Sequence, residues 1–260
     1  MLFIRTSQAV EATPAGKVLA EQARQVLSSF EFAITETRRA GSLDGPLRIG
    51  CVSFLPTPRL QQFLAELKKR GASVPLEVTH MWGLEQISRL RAGRLDLGIF
   101  FRADDYPQLE CEPLFPGANV KAFLPSEHPL AAKSTLTPED LVSETRITFP
   151  RSLNPAFHDR VMSRFEELGY RFHSVHEING NDPRDALLAV TAGLGLVLGP
   201  SFLSELGDAG RDVVGRPLDP PVRLPGTVVA WRANPPRHLQ PLLATVRESA
   251  RALHAAIPED

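Results

Sequence analysis

The sequence predicts an α/β protein of two lobes preceded by one long helix. Three observations carry that expectation: no glycine or proline falls between Lys17 and Ala40, a Gly/Pro-rich break follows at once, and strand and helix patterns then alternate in two successive runs.

Leu2 to Arg5, followed by Ala9 and Val10, read as a short strand or hairpin arm. Thr13 and Pro14 start the helix, with Thr13 as N-cap and Pro14 at the first helical position, where its missing N–H forfeits no bond. Leu19, Ala23, Val26, Phe30, Ala33 and Thr37 then step by four and three, a near-heptad seam that calls for a partner helix. At about 1.5 Å per residue the helix should run roughly 40 Å. Gly41 to Pro46 breaks it with two glycines and a proline.

After the break, strand patterns at Leu47–Val52, Pro75–Thr79 and Leu95–Phe100 bracket helical patterns at Arg59–Arg70 and Leu84–Ala92. This βαβαβ order implies a parallel sheet with crossover helices. The second run has strands around 119–125, 146–149, 174–178 and 195–199, with helices over about 155–168 and from Asp182, the N-cap ahead of Pro183, to Gly193. A strand at Thr227–Trp231 and a helix over about 239–255 return to the pattern of the first lobe.

Composition narrows the function. With 260 residues, 43% hydrophobic and 23% charged, the chain can bury a sizeable core, and a net charge of -1 excludes a surface that is basic throughout. The first 45 residues balance five cations against five carboxylates, so they supply no electrostatic footprint for nucleic acid. Cys51 and Cys111 form no metal-spaced pair, and neither a signal segment nor a membrane span is legible, which favours a cytoplasmic location. The sequence contains no GxSxG elbow, no HExxH and no phosphate loop, so no catalytic residue is expected. His173 and His176 lie three apart on a strand and would face opposite sides, so no metal site is expected; nor is a cofactor.

Several segments resemble LysR-type transcriptional regulators. Leu2, Phe3, Arg5, Val10, Thr13, Ala15 and Gly16 are similar to the stretch that forms the wing and opens the linker helix in that family. Leu90 to Ile99 is similar to its L-x-x-G-x-L-D-x-x-I signature, Glu127 to Leu130 to its HPL element, and Ala192-Gly193-Leu194-Gly195 with Gly199-Pro200 to its AG-x-G…P turn. Gln8 and Ala12 stand where relatives often carry Arg and Leu. The resemblance implies a remnant of a winged helix-turn-helix over 1–12, a linker helix over 13–42, and a type 2 periplasmic-binding-protein-like effector domain over 43–260. Lobe 1 would comprise about 46–118 and 227–260, and lobe 2 about 119–226. An N-terminally truncated regulator is expected, binding a small-molecule effector itself and DNA through the absent helix-turn-helix of the full-length protein, as a homodimer or homotetramer away from membranes. Arg5 would touch a DNA phosphate.

In an open α/β sheet, ligands lie beyond the carboxyl ends of the strands. Those ends carry Ser53, Phe54, Leu55 and Thr57, then Trp82 and Gly83, then Phe101 and Arg102, and in the second lobe Arg151, Ser152, Asn154 and Phe202. A cleft built from them would suit an aromatic or other small organic acid. A solute-binding protein of a transporter shares the architecture and is the alternative; an enzyme on the same scaffold comes third.

Overall fold

In the computed structural model, residues 1–5, 10–40, 45–53, 55, 57–71, 74–180, 182–205, 212–237 and 239–256 are described. A small antiparallel hairpin, β1 (Phe3–Arg5) and β2 (Val10–Ala12), leads into α1 (Pro14–Ala40). Thr13 caps α1 as expected, its Oγ1 accepting the Gly16 N–H at 3.0 Å. Leu19, Val26 and Phe30 of the seam remain exposed in the single chain.

Lobe 1 begins with β3 (Leu47–Cys51), α2 (Thr57–Gly71), β4 (Leu76–His80), α3 (Gly83–Arg91), β5 (Leu97–Phe101) and β6 (Leu109–Phe115). The chain then builds lobe 2 from β7 (Val120–Pro125), α4 (Pro138–Leu141), β8 (Thr145–Thr148), α5 (Pro155–Glu167), β9 (Ser174–Glu177), α6 (Pro183–Thr191), β10 (Leu196–Pro200) and β11 (Val213–Pro217). It returns to lobe 1 for β12 (Thr227–Arg232) and α7 (Gln240–Ala256).

The two lobes repeat one unit. In lobe 1, β3, β4 and β5 are parallel in the order β4-β3-β5; in lobe 2, β8, β9 and β10 are parallel in the order β9-β8-β10. Each unit passes from its second helix to its third strand through a left-handed glycine, Gly93 at φ 66° and Gly193 at φ 75°, a conformation a side chain would strain. Both sheets are mixed rather than parallel throughout, because β12 and β6 add antiparallel beyond β5, and β7 and β11 add antiparallel beyond β10. The outermost strands β6 and β11 escape the sequence pattern because Pro113 interrupts one and Gly215 the other.

Lobe 1 packs one continuous core around Phe63, Phe100 and Trp231, from both helical faces of its sheet. Two of its buried polar side chains, Gln86 and Asp96, are tied into the backbone. Gln86 donates from Nε2 to the carbonyls of Met81 and Ile99, and Asp96 accepts the Arg48 N–H at 2.8 Å and its guanidinium at 3.2 Å. In lobe 2 the sheet separates two clusters, one with Phe165 and Tyr170 on the α5 side and one with Leu187 and Val190 on the α6 side.

Two strands of chain connect the lobes and run side by side. The Val120 N–H donates to Val222 O at 2.8 Å and the Leu224 N–H to Ala118 O at 2.9 Å, with a bridge between Asn119 and Arg223. They approach so closely that a Cβ at Gly117 would lie 2.2 Å from the Leu224 carbonyl oxygen.

Candidate functional site

Where the carboxyl ends of β3, β4 and β5 face lobe 2 lies a cavity of about 140 Å³. Lobe 1 contributes Val52, Trp82, Gly83 and Phe101; lobe 2 contributes β8, the turn after it, one face of α5 and the end of β10. Aromatic rings close it across the gap. Trp82 meets Phe149 edge-on with centroids 5.0 Å apart, and Phe101 stacks on Phe157 at 5.0 Å and 28°. Such pairs add about 0.5–1.5 kcal/mol each beyond the area they bury, so the walls of this chamber help to hold the two lobes together.

Why these residues meet follows from local structure. Trp82 is the N-cap of α3, extended at φ -66° and ψ 152°, with a side chain that makes no capping bond and is left to face the cavity. Trp82 therefore offers no side-chain acceptor to the first N–H groups of α3, and a helix start favours an anion nearby. Asn154, by contrast, caps α5, its Oδ1 accepting the Phe157 N–H at 3.3 Å. Phe157, His158, Val161, Met162 and Phe165 then recur on one stripe of α5 and form the lobe 2 wall.

At the floor of that wall sits Arg146, 8% exposed, on β8. Its Nε has no hydrogen-bond partner, Nη1 touches the Met162 sulfur, and the guanidinium lies 5.7 Å from the centroid of Phe172. No carboxylate pairs with it among the described residues. Burial pulls its pKa below the usual arginine value. At the rim, Arg151 grips Asp159 through two bonds of 2.6 and 2.5 Å, and Asp159 also meets His158 Nδ1 at 3.2 Å. The Arg151 guanidinium, and next the His158 ring, hold the Asp159 carboxyl down at about 2.

Of the residues expected in the cleft, Trp82, Gly83, Phe101 and Asn154 line the cavity. Leu55 is buried in the lobe 1 core, and Ser53 sits half-buried next to Val52 without lining the chamber. Phe54 and the side chain of Thr57 lie outside the described residues, as does the side chain of Arg5. Arg102 is turned away and pairs with Asp105 at 2.6 Å beside a second, larger depression of about 480 Å³ next to the lobe connections. Arg151 and Ser152 are exposed on a 3-10 turn, and Phe202 is half-buried while its neighbour Leu203 reaches the cavity. The pattern reading missed Arg146 and the α5 stripe. An arginine inside a strand was the available signal for the first, since such a residue is seldom fully buried unless paired.

No three described His, Cys, Asp or Glu residues group to hold a metal, and no described helix is long and apolar enough to cross a membrane. Burial pushes the Cys51 thiol up to about 12 and raises that of Cys111. Strands β5 and β12 stand between the two cysteines, three strand spacings or about 14 Å, whereas a disulfide needs Cα atoms within about 7 Å.

Residues 40–253 match the family model described as LysR substrate binding domain. The probable cat1 operon transcriptional activator of Acinetobacter lwoffii is 28% identical over 235 residues, covering 90% of this chain and 76% of that protein. The HTH-type transcriptional regulator AlsR of Bacillus subtilis is 29% identical over 234 residues, with the same shares. A crystal structure of a full-length BenM variant superposes with TM-score 0.64 at 23% identity, covering 98% of this chain and 82% of that one, a likeness of fold.

Proposed function

This chain belongs to the LysR-type transcriptional regulators, matched through their substrate-binding domain, and we propose that its effector is a small organic acid with an aromatic or compact apolar body, bound between the lobes. It is a ligand-responsive regulator. The observation that carries the effector reading is the cavity itself, walled by Trp82, Phe101, Phe149 and Phe157 at the junction of the two lobes. Its 140 Å³ compares with the roughly 150 Å³ of an apolar cavity known to accept benzene, so one ring or a short branched chain fits. Apolar walls with few polar groups favour such a body, and a buried guanidinium among them favours an acid.

Regulation then requires that the effector bind two arrangements of the lobes with different affinity. A ligand between Trp82 of lobe 1 and Phe149 of lobe 2 touches both halves of the junction, so its binding energy depends on their relative placement. The exposed seam of α1 would pair with a second copy and carry the change toward the DNA-reading heads of the full-length protein. In this reading the domain senses and does not turn over its ligand, and Arg5 lies at a DNA phosphate.

Titration of a panel of aromatic and short-chain carboxylates, followed by tryptophan fluorescence, tests the assignment. Trp231 is 1% exposed in the core, so the responsive signal is expected from Trp82. Loss of the signal together with weakened calorimetric affinity in Trp82→Ala supports the cleft; unchanged affinity of a hit in that variant sinks it.

A further inference from the structure

Arg146 is a charged group without a counter-charge among the described residues. An arginine cannot shed its proton at any physiological pH, and a buried charge without a partner is among the most unfavourable elements a core can hold. Asp96 in lobe 1 shows what this protein does with a buried charge that belongs to its scaffold: it binds Arg48 through backbone and side chain together. Arg146 has a thioether and an aromatic ring instead, and its Nε is empty. It lies on the wall of the inter-lobe cavity, among Phe157, Val161, Met162 and Phe165.

We propose that Arg146 is the anion anchor of the effector site: it receives the ligand carboxylate inside lobe 2, while the apolar body of the ligand lies against the α5 stripe and the aromatic rings of the junction. This rests on the reading of the cavity as the effector site and adds which atom group selects the ligand and from which side. A planar guanidinium matches a carboxylate through two parallel N–H···O bonds, and the low polarity around Arg146 strengthens them. The ligand class is a monocarboxylate with one ring or a short branched chain. Neutral amides and alcohols of the same shape satisfy the apolar walls but leave the guanidinium uncompensated. Arg102 and Arg151, already engaged with Asp105 and Asp159, are free of this role.

The test pairs acids with their neutral isosteres on the full chain by calorimetry: benzoate with benzamide, cyclohexanecarboxylate with its amide, and 3-methylbutanoate with its amide. Wild type is expected to prefer at least one acid over its amide by about tenfold or more, as a hydrogen bond to a charged group implies. Arg146→Met should erase that preference while retaining the amide affinity, and Arg146→Lys should restore part of it. Circular dichroism and a thermal midpoint at or above the wild-type value establish that the Met variant is folded. Equal affinity of every acid and amide for wild type, or an undiminished acid preference in Arg146→Met, overturns the anchor and leaves the cavity as an effector site. A midpoint well below wild type in Arg146→Met makes Arg146 a structural residue and also overturns it. No binding of any pair to wild type removes the effector reading of the cavity, and the anchor with it.

Discussion

In lobe 1 the buried polar groups Asp96 and Gln86 are bonded into the scaffold, and the core around them is continuous; in lobe 2 the buried guanidinium of Arg146 stands on the wall of a chamber, and the core is divided by its sheet. Both lobes start from the same β-α-β-α-β unit, so the contrast does not come from topology. It comes from the stripe that each unit's helix presents. In lobe 1, α2 lies against the sheet with Leu60, Phe63 and Leu67 buried, whereas its counterpart in lobe 2, α5, turns His158 and Met162 to a cavity. A platform and a receptor have thus been made from one plan by moving where the packing is completed.

The largest effect should come from removing packing in the platform. Trp231→Ala deletes a ring that is 1% exposed, donates Nε1–H to Glu110 at 3.2 Å and stacks beneath Arg247, and is expected to lower unfolding free energy by about 3–5 kcal/mol in urea titrations. Phe157→Ala, on the chamber wall, should fall well short of that because its ring already borders empty space. Equal losses at the two positions would break the contrast.

Next in size, Arg146→Met should leave the ligand-free protein as stable or raise its unfolding free energy by about 1–4 kcal/mol, since apolar replacements of buried charge are often neutral or stabilising. The equivalent cut in lobe 1, Asp96→Ala, strips Arg48 of its partner and should destabilise. Opposite signs at the two sites sharpen the comparison.

Thiol reactivity offers a kinetic check on how closed the platform is. With its thiol pushed up to about 12, Cys51 should resist iodoacetamide at pH 8 in the native state and label only after denaturation, with Cys111 slowed less. Rapid native labelling of Cys51 would contradict the packing around β3.

The smallest effect belongs to the receptor's rim. The Asp159 carboxyl is held at about 2, below its ordinary 3.8, so its contribution to stability is complete above the unfolded value and disappears as pH falls toward 2. Carbon-detected NMR titration should find Asp159 still ionised at pH 3, and Arg151→Ala should move its midpoint up toward the ordinary value.

Much of the fold was legible because its signals are local. Thr13 with Pro14 and Asp182 with Pro183 mark helix starts, and Gly93 and Gly193 mark helix ends, each by the geometry of one or two residues. The mixed sheets were not, since pairing direction depends on where a strand returns from, and β12 arrives after the whole of lobe 2. The site divided in the same way. Trp82 and Phe101 follow from the rule that ligands gather at strand ends, but Arg102 and Arg151 found partners three and eight residues along, which strand position alone does not reveal. Phe157 and Met162 look like core residues on a helix until a gap opens beside them.

The wedge position of β12 also sets an order of assembly. Lobe 2, from β7 to β11, is one continuous segment that can complete its sheet as soon as it has left the ribosome. Lobe 1 cannot, because β6 joins its sheet only through β12, and β12 is made after all of lobe 2. A chain ending at Gly226 should therefore hold a folded lobe 2 beside an unfinished lobe 1, detectable as protease resistance confined to about 120–217. The lobe whose first strand is synthesised earlier is the one that closes last, and the junction with its aromatic walls forms only at that final step.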